Sequence, residues 1–357
     1  NAKSKKARDN IFEAQYTLHE AGLNKGVTLA FQSRDEDVLK EIKRSNIPSD
    51  EFMLLQARFI QAGVPTYSDM ILGLPGETYD SFADGVSQTM HEGQHGRIQF
   101  GSLAILPNAE MGDPAYRKKY EMKTVQVREV TYHGSIAEPE WEIDEEEDLI
   151  VETATLSRED WVRMRVFCWM AGFLHFDKLL QIPLVLLHET TGISYRHLIE
   201  VFCEGDLVGF PILREIRDFF RKKARGMQIG EVEFCADDDL LKIWWPADEF
   251  IFLTLARENK LAGFYIEAET RLRELLFSRG IHAHRTEIPL ALHEAMYVNR
   301  ELLKLPFQDA DVSVECDYNI LEFYQSVLVM KKIPFAKISR DYRIDRTSET
   351  WSSWEDW

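Results

Sequence analysis

Cysteine is scarce in this chain: four residues in 357, at positions 168, 203, 235 and 316, with no CxxC pair. That spacing speaks against a disulfide framework or a cysteine-built metal site, and it suits reduced, buried thiols in a cytoplasmic protein. Positive charge is in deficit. Lys and Arg number 42 against 60 Asp and Glu, a formal net charge of -18, which argues against nucleic acid and against an anionic membrane surface as partners. Long apolar runs are missing as well. The richest, residues 161–187, is interrupted by Arg163, Arg165, His175, Asp177 and Lys178, so no membrane span is expected. The opening NAKSKKARDN is basic and polar, without the apolar core of a signal peptide. It also lacks an initiator Met. Asn1-Ala2 reads as a cloning scar, and the chain is expected to be an excised piece of something longer.

What is present is ordinary globular material. A hydrophobic content of 45% with 29% charged residues is enough for two domains with cores of their own. The acid is concentrated in EPEWEIDEEED, residues 138–148, which reads as a solvated connector.

Residues 10–110 carry an α/β rhythm. A helix over 11–21 ends at Gly22, GVTLAF (26–31) reads as a buried strand, and helices are expected from Asp35 and from Ser49. A second strand over 65–72, a helix capped by Thr78 or Asp80, and a third strand over 97–106 follow. Strands joined by single helices imply right-handed βαβ units and a parallel sheet. Three strands leave an unpaired edge. The expectation is therefore that preceding strands are missing and that the isolated piece dimerises through that edge.

After Tyr120 the texture changes. A strand is expected over 125–132, then the acidic connector, then helices over 157–227 with breaks at Pro183, Gly192 and Pro211. Two short strands turn on Asp237-Asp238-Asp239, helices follow over 267–278 and 290–303, and the last elements are strand 311–316, helix 318–330 and strand 336–344. The expected domains are 1–125, a strand and acidic connector over 126–156, a mostly helical α+β domain over 157–346, and a polar tail over 347–357.

The most informative stretch is MILGLPGET, residues 70–78. An apolar strand stops at two glycines bracketing Pro75, and a helix opens. Ligands of parallel α/β sheets sit at such carboxyl ends, and glycine there lets the backbone approach a flat ligand. The strand before ends in Phe31-Gln32-Ser33, with Arg44 downstream, and the strand after ends in Ala104-Ile105-Leu106-Pro107-Asn108. In this combination residues 10–125 resemble the radical S-adenosylmethionine enzymes, in particular the group that often carries a cobalamin-binding domain and includes relatives of the magnesium-protoporphyrin monomethyl ester oxidative cyclases. The resemblance implies an α/β fold of a specific kind: the C-terminal half of a partial (β/α)6 TIM-like barrel, strands four to six. It further implies that Gln32, Ser33 and Arg44 line the ribose and amino-acid end of S-adenosylmethionine, while the backbone of Ile71, Leu72, Gly73 and Leu74, with Leu106 and Pro107, flanks the adenine.

One part of that family's pattern is absent. Its chemistry needs a CxxxCxxC loop whose thiolates hold a [4Fe-4S] cluster, and no such loop occurs here. The expectation is a fragment of an iron–sulfur enzyme that is itself inactive. The parent would use S-adenosylmethionine and the cluster, with cobalamin as a further cofactor of the group, on a small-molecule or otherwise unidentified substrate. The competing expectation is a degenerate barrel acting as an interaction or scaffold module. No catalytic residue is singled out and no metal ligands are expected. His282-x-His284 on one face of a strand reads as surface or packing histidines, His188-Glu189 as a helix end, Asp237–Asp239 as a plain turn, and the stripe Trp161, Phe167, Trp169, Phe173 and Phe176 as core.

Overall fold

The computed structural model describes residues 5–137, 145–308, 310–348, 350–354 and 356. The first seven residues of the acidic run, 138–144, lie outside them. The fold is mixed α/β, and the chain divides into two compact units. One takes residues up to Val127, Glu147–Cys168 and Ser326–Lys332; the other takes the remainder.

In the first unit, α1 (Lys5–Glu20) precedes β1 (Val27–Thr28), α2 (Glu36–Glu41), α3 (Ser49–Gln61), β2 (Thr66–Leu72), α4 (Tyr79–His91) and β3 (Arg97–Ser102). The three strands form a parallel sheet in the order β1-β2-β3, with Thr28 opposite Tyr67 and Tyr67 opposite Arg97. This is the βαβ rhythm expected from the sequence. β1 is shorter than expected because its ladder is interrupted after Leu29 and resumes only as a single bridge between Gln32 and Met70.

Burial alternates along β2. Thr66, Ser68, Met70 and Leu72 are buried, while Tyr67, Asp69 and Ile71 are half-exposed. The period of two sends one set of side chains under the helices and leaves the other on a more open face. Phe31 packs edge-on against Phe52 of α3 at 4.6 Å, and Val27, Leu55, Phe59 and Val64 form a small cluster beneath Phe12 and Tyr16 of α1.

A second sheet follows. The expected third strand breaks at Leu103, so that β4 (Ala104–Ile105) leaves the parallel sheet. The chain continues through α5 (Pro114–Lys119), β5 (Lys123–Arg128) and β6 (Glu146–Glu152), in the order β4-β6-β5. The end of the acidic run is thus strand, with Ile105 opposite Asp148. A continuous apolar run explains it: Leu149, Ile150 and Val151 are consecutive and all buried, and they carry the neighbouring acids into the ladder.

α6 (Arg158–Ala171) runs into a π-helical turn, Gly172–Phe176. The second unit then holds α7 (Gln181–Thr191), α8 (Tyr195–Cys203), α9 (Pro211–Met227), the antiparallel pair β7 (Cys235–Ala236) and β8 (Trp244–Trp245), α10 (Ala247–Arg257), α11 (Leu261–Ser278), the short α12 (Ile281–His284), α13 (Ile288–Leu302), β9 (Val312–Cys316), α14 (Ile320–Leu328) as far as Gln325, and β10 (Arg340–Ile344). Its core is aromatic: Phe173 meets Phe264 at 5.4 Å and Trp169 stacks near Phe220 at 5.7 Å. Pro183 does not break the helix. It sits in the first turn of α7, where a missing N–H leaves no intrahelical bond unmade; the break falls earlier, in the π turn. Among the described residues no single helix is long and apolar enough to cross a membrane.

Candidate cofactor site at two strand ends

The ends of β1 and β2 are tied together by main chain. The amides of Phe31 and Gln32 both donate to the Asp69 carbonyl, at 3.2 and 2.9 Å, and the Ile71 amide donates to the Gln32 carbonyl at 2.8 Å. Gln32 takes a left-handed φ of 64°, which is strained for a residue with a side chain. It lines an open cleft of about 1000 Å³ along the free edge of β1, together with Arg44 and Asn46.

Arg44 is brought back to this edge by the exit from α2. Its Nη2 donates to the Ala30 carbonyl at 3.0 Å, and the neighbouring Asn46 donates to the Ser33 carbonyl at 2.7 Å. The same guanidinium acts on Asp69. Burial raises the Asp69 carboxyl above the usual carboxylate range, and Arg44 partly offsets that. Asp69 Oδ1 is buried with no hydrogen-bond partner among the described residues. A buried oxygen of that kind is costly unless a donor reaches it. Sequence reasoning missed Asp69. The signal available was its place in β2: a carboxylate within TYSDMIL, on the half-exposed face rather than the core face.

The expected site residues divide. Gln32 and Arg44 come together, joined by Asp69. Ser33 is fully buried, with its hydroxyl accepting from the Asp35 amide at 3.1 Å. Leu72 and Leu74 are buried in the core and Ile71 is half-exposed, so this stretch presents main chain rather than leucine side chains. Leu106 and Pro107 are exposed at the end of β4.

The glycines have a conformational reason. Gly73 and Gly76 sit at φ 92° and 88°, a region that favours glycine on steric grounds alone. A Cβ on Gly73 would lie 3.7–3.8 Å from Leu103, Ile150 and Trp161, so its open side faces protein. The turn closes with the Glu77 amide on the Leu74 carbonyl at 3.1 Å, and Thr78 caps α4 in a capping box with Ser81.

The remaining constellations are structural. His282 and His284 lie on α12, not on a strand, and His282 stacks on Phe277 at 4.4 Å. His188 lies in the last turn of α7, its Nδ1 2.8 Å from the Ile193 carbonyl. The aromatic stripe from Trp161 to Phe176 is buried. All four cysteines are free and buried, and no group of three metal-binding side chains occurs among the described residues. These cysteines do not fit an iron–sulfur cluster, whereas the unsatisfied Asp69 oxygen beside Gln32 and Arg44 fits a polar ligand bearing hydroxyls and a carboxylate.

No family model matches the chain. Two curated relatives do. The cobalamin-dependent radical SAM methyltransferase TokK of Streptomyces tokunonensis is 34% identical over 197 residues, 55% of this chain and 28% of the relative. The 2-(S-pantetheinyl)-carbapenam-3-carboxylate methyltransferase of Streptantibioticus cattleyicolor is 38% identical over 174 residues, 48% of this chain and 25% of the relative. The chain thus spans little more than a quarter of the length of the relatives it matches. Over about half its own length it is homologous to radical SAM methyltransferases, which supports the radical SAM superfamily for this chain.

Proposed function

We propose that this chain is the C-terminal part of a radical S-adenosylmethionine enzyme, cobalamin-dependent like the first relative, and that it supplies the ribose and amino-acid side of the S-adenosylmethionine site. The observation that carries the reading is the convergence of Gln32, just past β1, with Arg44 and the unsatisfied carboxylate of Asp69 midway along β2. On this reading the cleft along β1 receives the preceding strand of a half-barrel, and the cluster-binding thiolates belong to that missing part. In the isolated chain a second copy would cover the same edge.

Each residue then has a task. Asp69 accepts from ribose hydroxyls, whose donors satisfy its buried oxygen. Gln32 adds an amide beside it. Arg44 pairs with the methionyl carboxylate, a charge-assisted contact. The main chain of residues 71–74 lies along the adenine. When bound, S-adenosylmethionine supplies the radical or methyl chemistry of the reaction; these residues bind and orient it.

Equilibrium binding to the protein expressed from its complete reading frame tests this. Asp69→Asn should weaken both S-adenosylmethionine and 5′-methylthioadenosine about tenfold, which is ~1.4 kcal/mol. Arg44→Ala should weaken only S-adenosylmethionine, because the shorter ligand lacks the amino-acid end. Parent-like affinity in both variants would show that the site lies elsewhere.

A further inference from the structure

Gly101 lies inside β3, opposite Ile71 of β2 in the parallel ladder and one residue before the strand ends at Ser102. Nothing in the fold requires a glycine there. Its backbone is not in the left-handed region that Gly73 and Gly76 occupy, and a Cβ built on it would meet no atom within 4 Å. The pairing of β3 with β2 runs unbroken from Arg97 to Ser102, so no bulge sits at this position. Gly96, just before the same strand, shows the contrast: a Cβ there would come within 2.6 Å of the Thr66 carbonyl oxygen. Glycine inside a strand costs backbone entropy and forgoes packing, and where no bend or bulge accounts for it, it marks close approach by a ligand or another backbone.

The neighbours of Gly101 indicate a ligand. Residues paired across a ladder project to the same face of the sheet, and successive residues to opposite faces. Ser68 and its partner Ile98 belong to the buried face. Asp69 and Ile71 share the other face with their partners Gln99 and Gly101, both of which are exposed. Two rows result. The lower is polar, with Gln99 beside Asp69, whose Oδ1 is buried without a hydrogen-bond partner among the described residues. The upper row, nearer the turn that follows β2, is apolar and flat, with Gly101 beside Ile71. The rows are ~6.6 Å apart along the strands, and neighbouring strands are ~4.8 Å apart. That pattern fits a ligand in which a hydroxyl-bearing part is joined to a flat ring.

We infer that Gly101 belongs to the cofactor site: its missing side chain leaves the floor on which the adenine ring of S-adenosylmethionine lies. The cofactor then crosses the sheet, with its carboxylate toward Arg44 beyond β1, its ribose over Asp69 of β2 and its base reaching β3. The inference rests on the cofactor reading above and adds the direction in which the ligand runs. A ring lying on bare backbone gains dispersion contacts over its whole face. A branched side chain at Gly101 would lift the ring off the sheet and draw the ribose away from Asp69.

Equilibrium binding and thermal melts of the protein expressed from its complete reading frame test this, with S-adenosylmethionine and 5′-methylthioadenosine as probes. Gly101→Val should melt at or above the parent, because a β-branched residue suits a strand and the added Cβ meets open space. It should nevertheless bind both ligands about tenfold more weakly or worse, since both carry the base. Gly101→Ala should be intermediate in affinity and no less stable than the parent. Loss of S-adenosylmethionine binding alone would put the methionyl end on β3 and overturn the inference. Parent-like affinity for both ligands in Gly101→Val would overturn it as well, with or without a lower melting temperature. If valine lowers stability and affinity together, alanine decides: weaker binding at parental stability supports the floor, and any other result removes it. Asp69→Asn separates the two readings. If it weakens binding while Gly101→Val does not, the cofactor reading stands and the floor falls. A parent that binds neither ligand removes both.

Discussion

Arg34 Nη2 lies 2.8 Å from Glu92 Oε1, with the two side chains only 8% and 5% exposed. Arg34 leaves the end of β1 and crosses α4 at Gly85, where a Cβ would come within 3.0 Å of its own. It also donates to Ser49 Oγ at 2.7 Å and lies over the Phe31 ring at 4.2 Å. A buried pair of this kind is dangerous to halve, because the surviving charge stays in low dielectric. Arg34→Ala or Glu92→Ala should each cost about 3 kcal/mol or more. The double change Arg34→Met with Glu92→Leu should recover most of that loss. Denaturant midpoints of the three variants check it, and additive losses would show that the pair is not coupled.

Gly73→Val places a branched side chain at φ 92°, and the loss should appear in stability before it appears in binding. Strain at such a position is of order 1–3 kcal/mol, and the γ-methyls add crowding against Leu103, Ile150 and Trp161. Gly73→Ala should lose less, since the added atom makes only ordinary contacts. Thermal melts rank the two. A valine variant as stable as the parent would mean that the turn relaxes to negative φ.

Asn299 clasps the bend after the π turn. Its Oδ1 accepts from the Ile182 amide at 3.0 Å, and its Nδ2 donates to the Lys178 and Leu179 carbonyls at 2.8 Å each. Asn299→Leu would strand the buried Ile182 amide and the Lys178 carbonyl, while the Leu179 carbonyl keeps the Tyr265 hydroxyl at 2.8 Å. A loss of roughly 2–4 kcal/mol is expected, together with faster exchange at the Ile182 amide. A near-neutral result would mean that water takes over these bonds.

The free edge of β1 should drive association of the isolated chain. Val27 and Leu29 donate to β2, so the Thr28 amide points outward. Thr28→Pro removes that donor from an edge position, where proline is tolerated. Sedimentation should find a concentration-dependent dimer in the parent and a monomer in the variant, both folded. A parent that stays monomeric throughout would remove the edge as a docking site.

Periodicity and local chemistry determined much of this protein. The alternation in TYSDMIL, the caps at Asp35 and Thr78, and the glycines of GLPGET each act within a few residues, and the structure places strand, helix starts and turn where those signals stand. The strand end at Gln32 is legible for the same reason, whereas Arg44 stands out only through the family resemblance. Tertiary structure decided the rest. Ser33 ends up buried rather than facing a ligand, and Asp69 gains its neighbour from a loop 25 positions earlier. His282 and His284 alternate as a strand would, yet they close a short helix after Gly280. Burial and charge at each of these sites sum over segments that only the fold brings together. Such sums have no counterpart in any short window of the sequence.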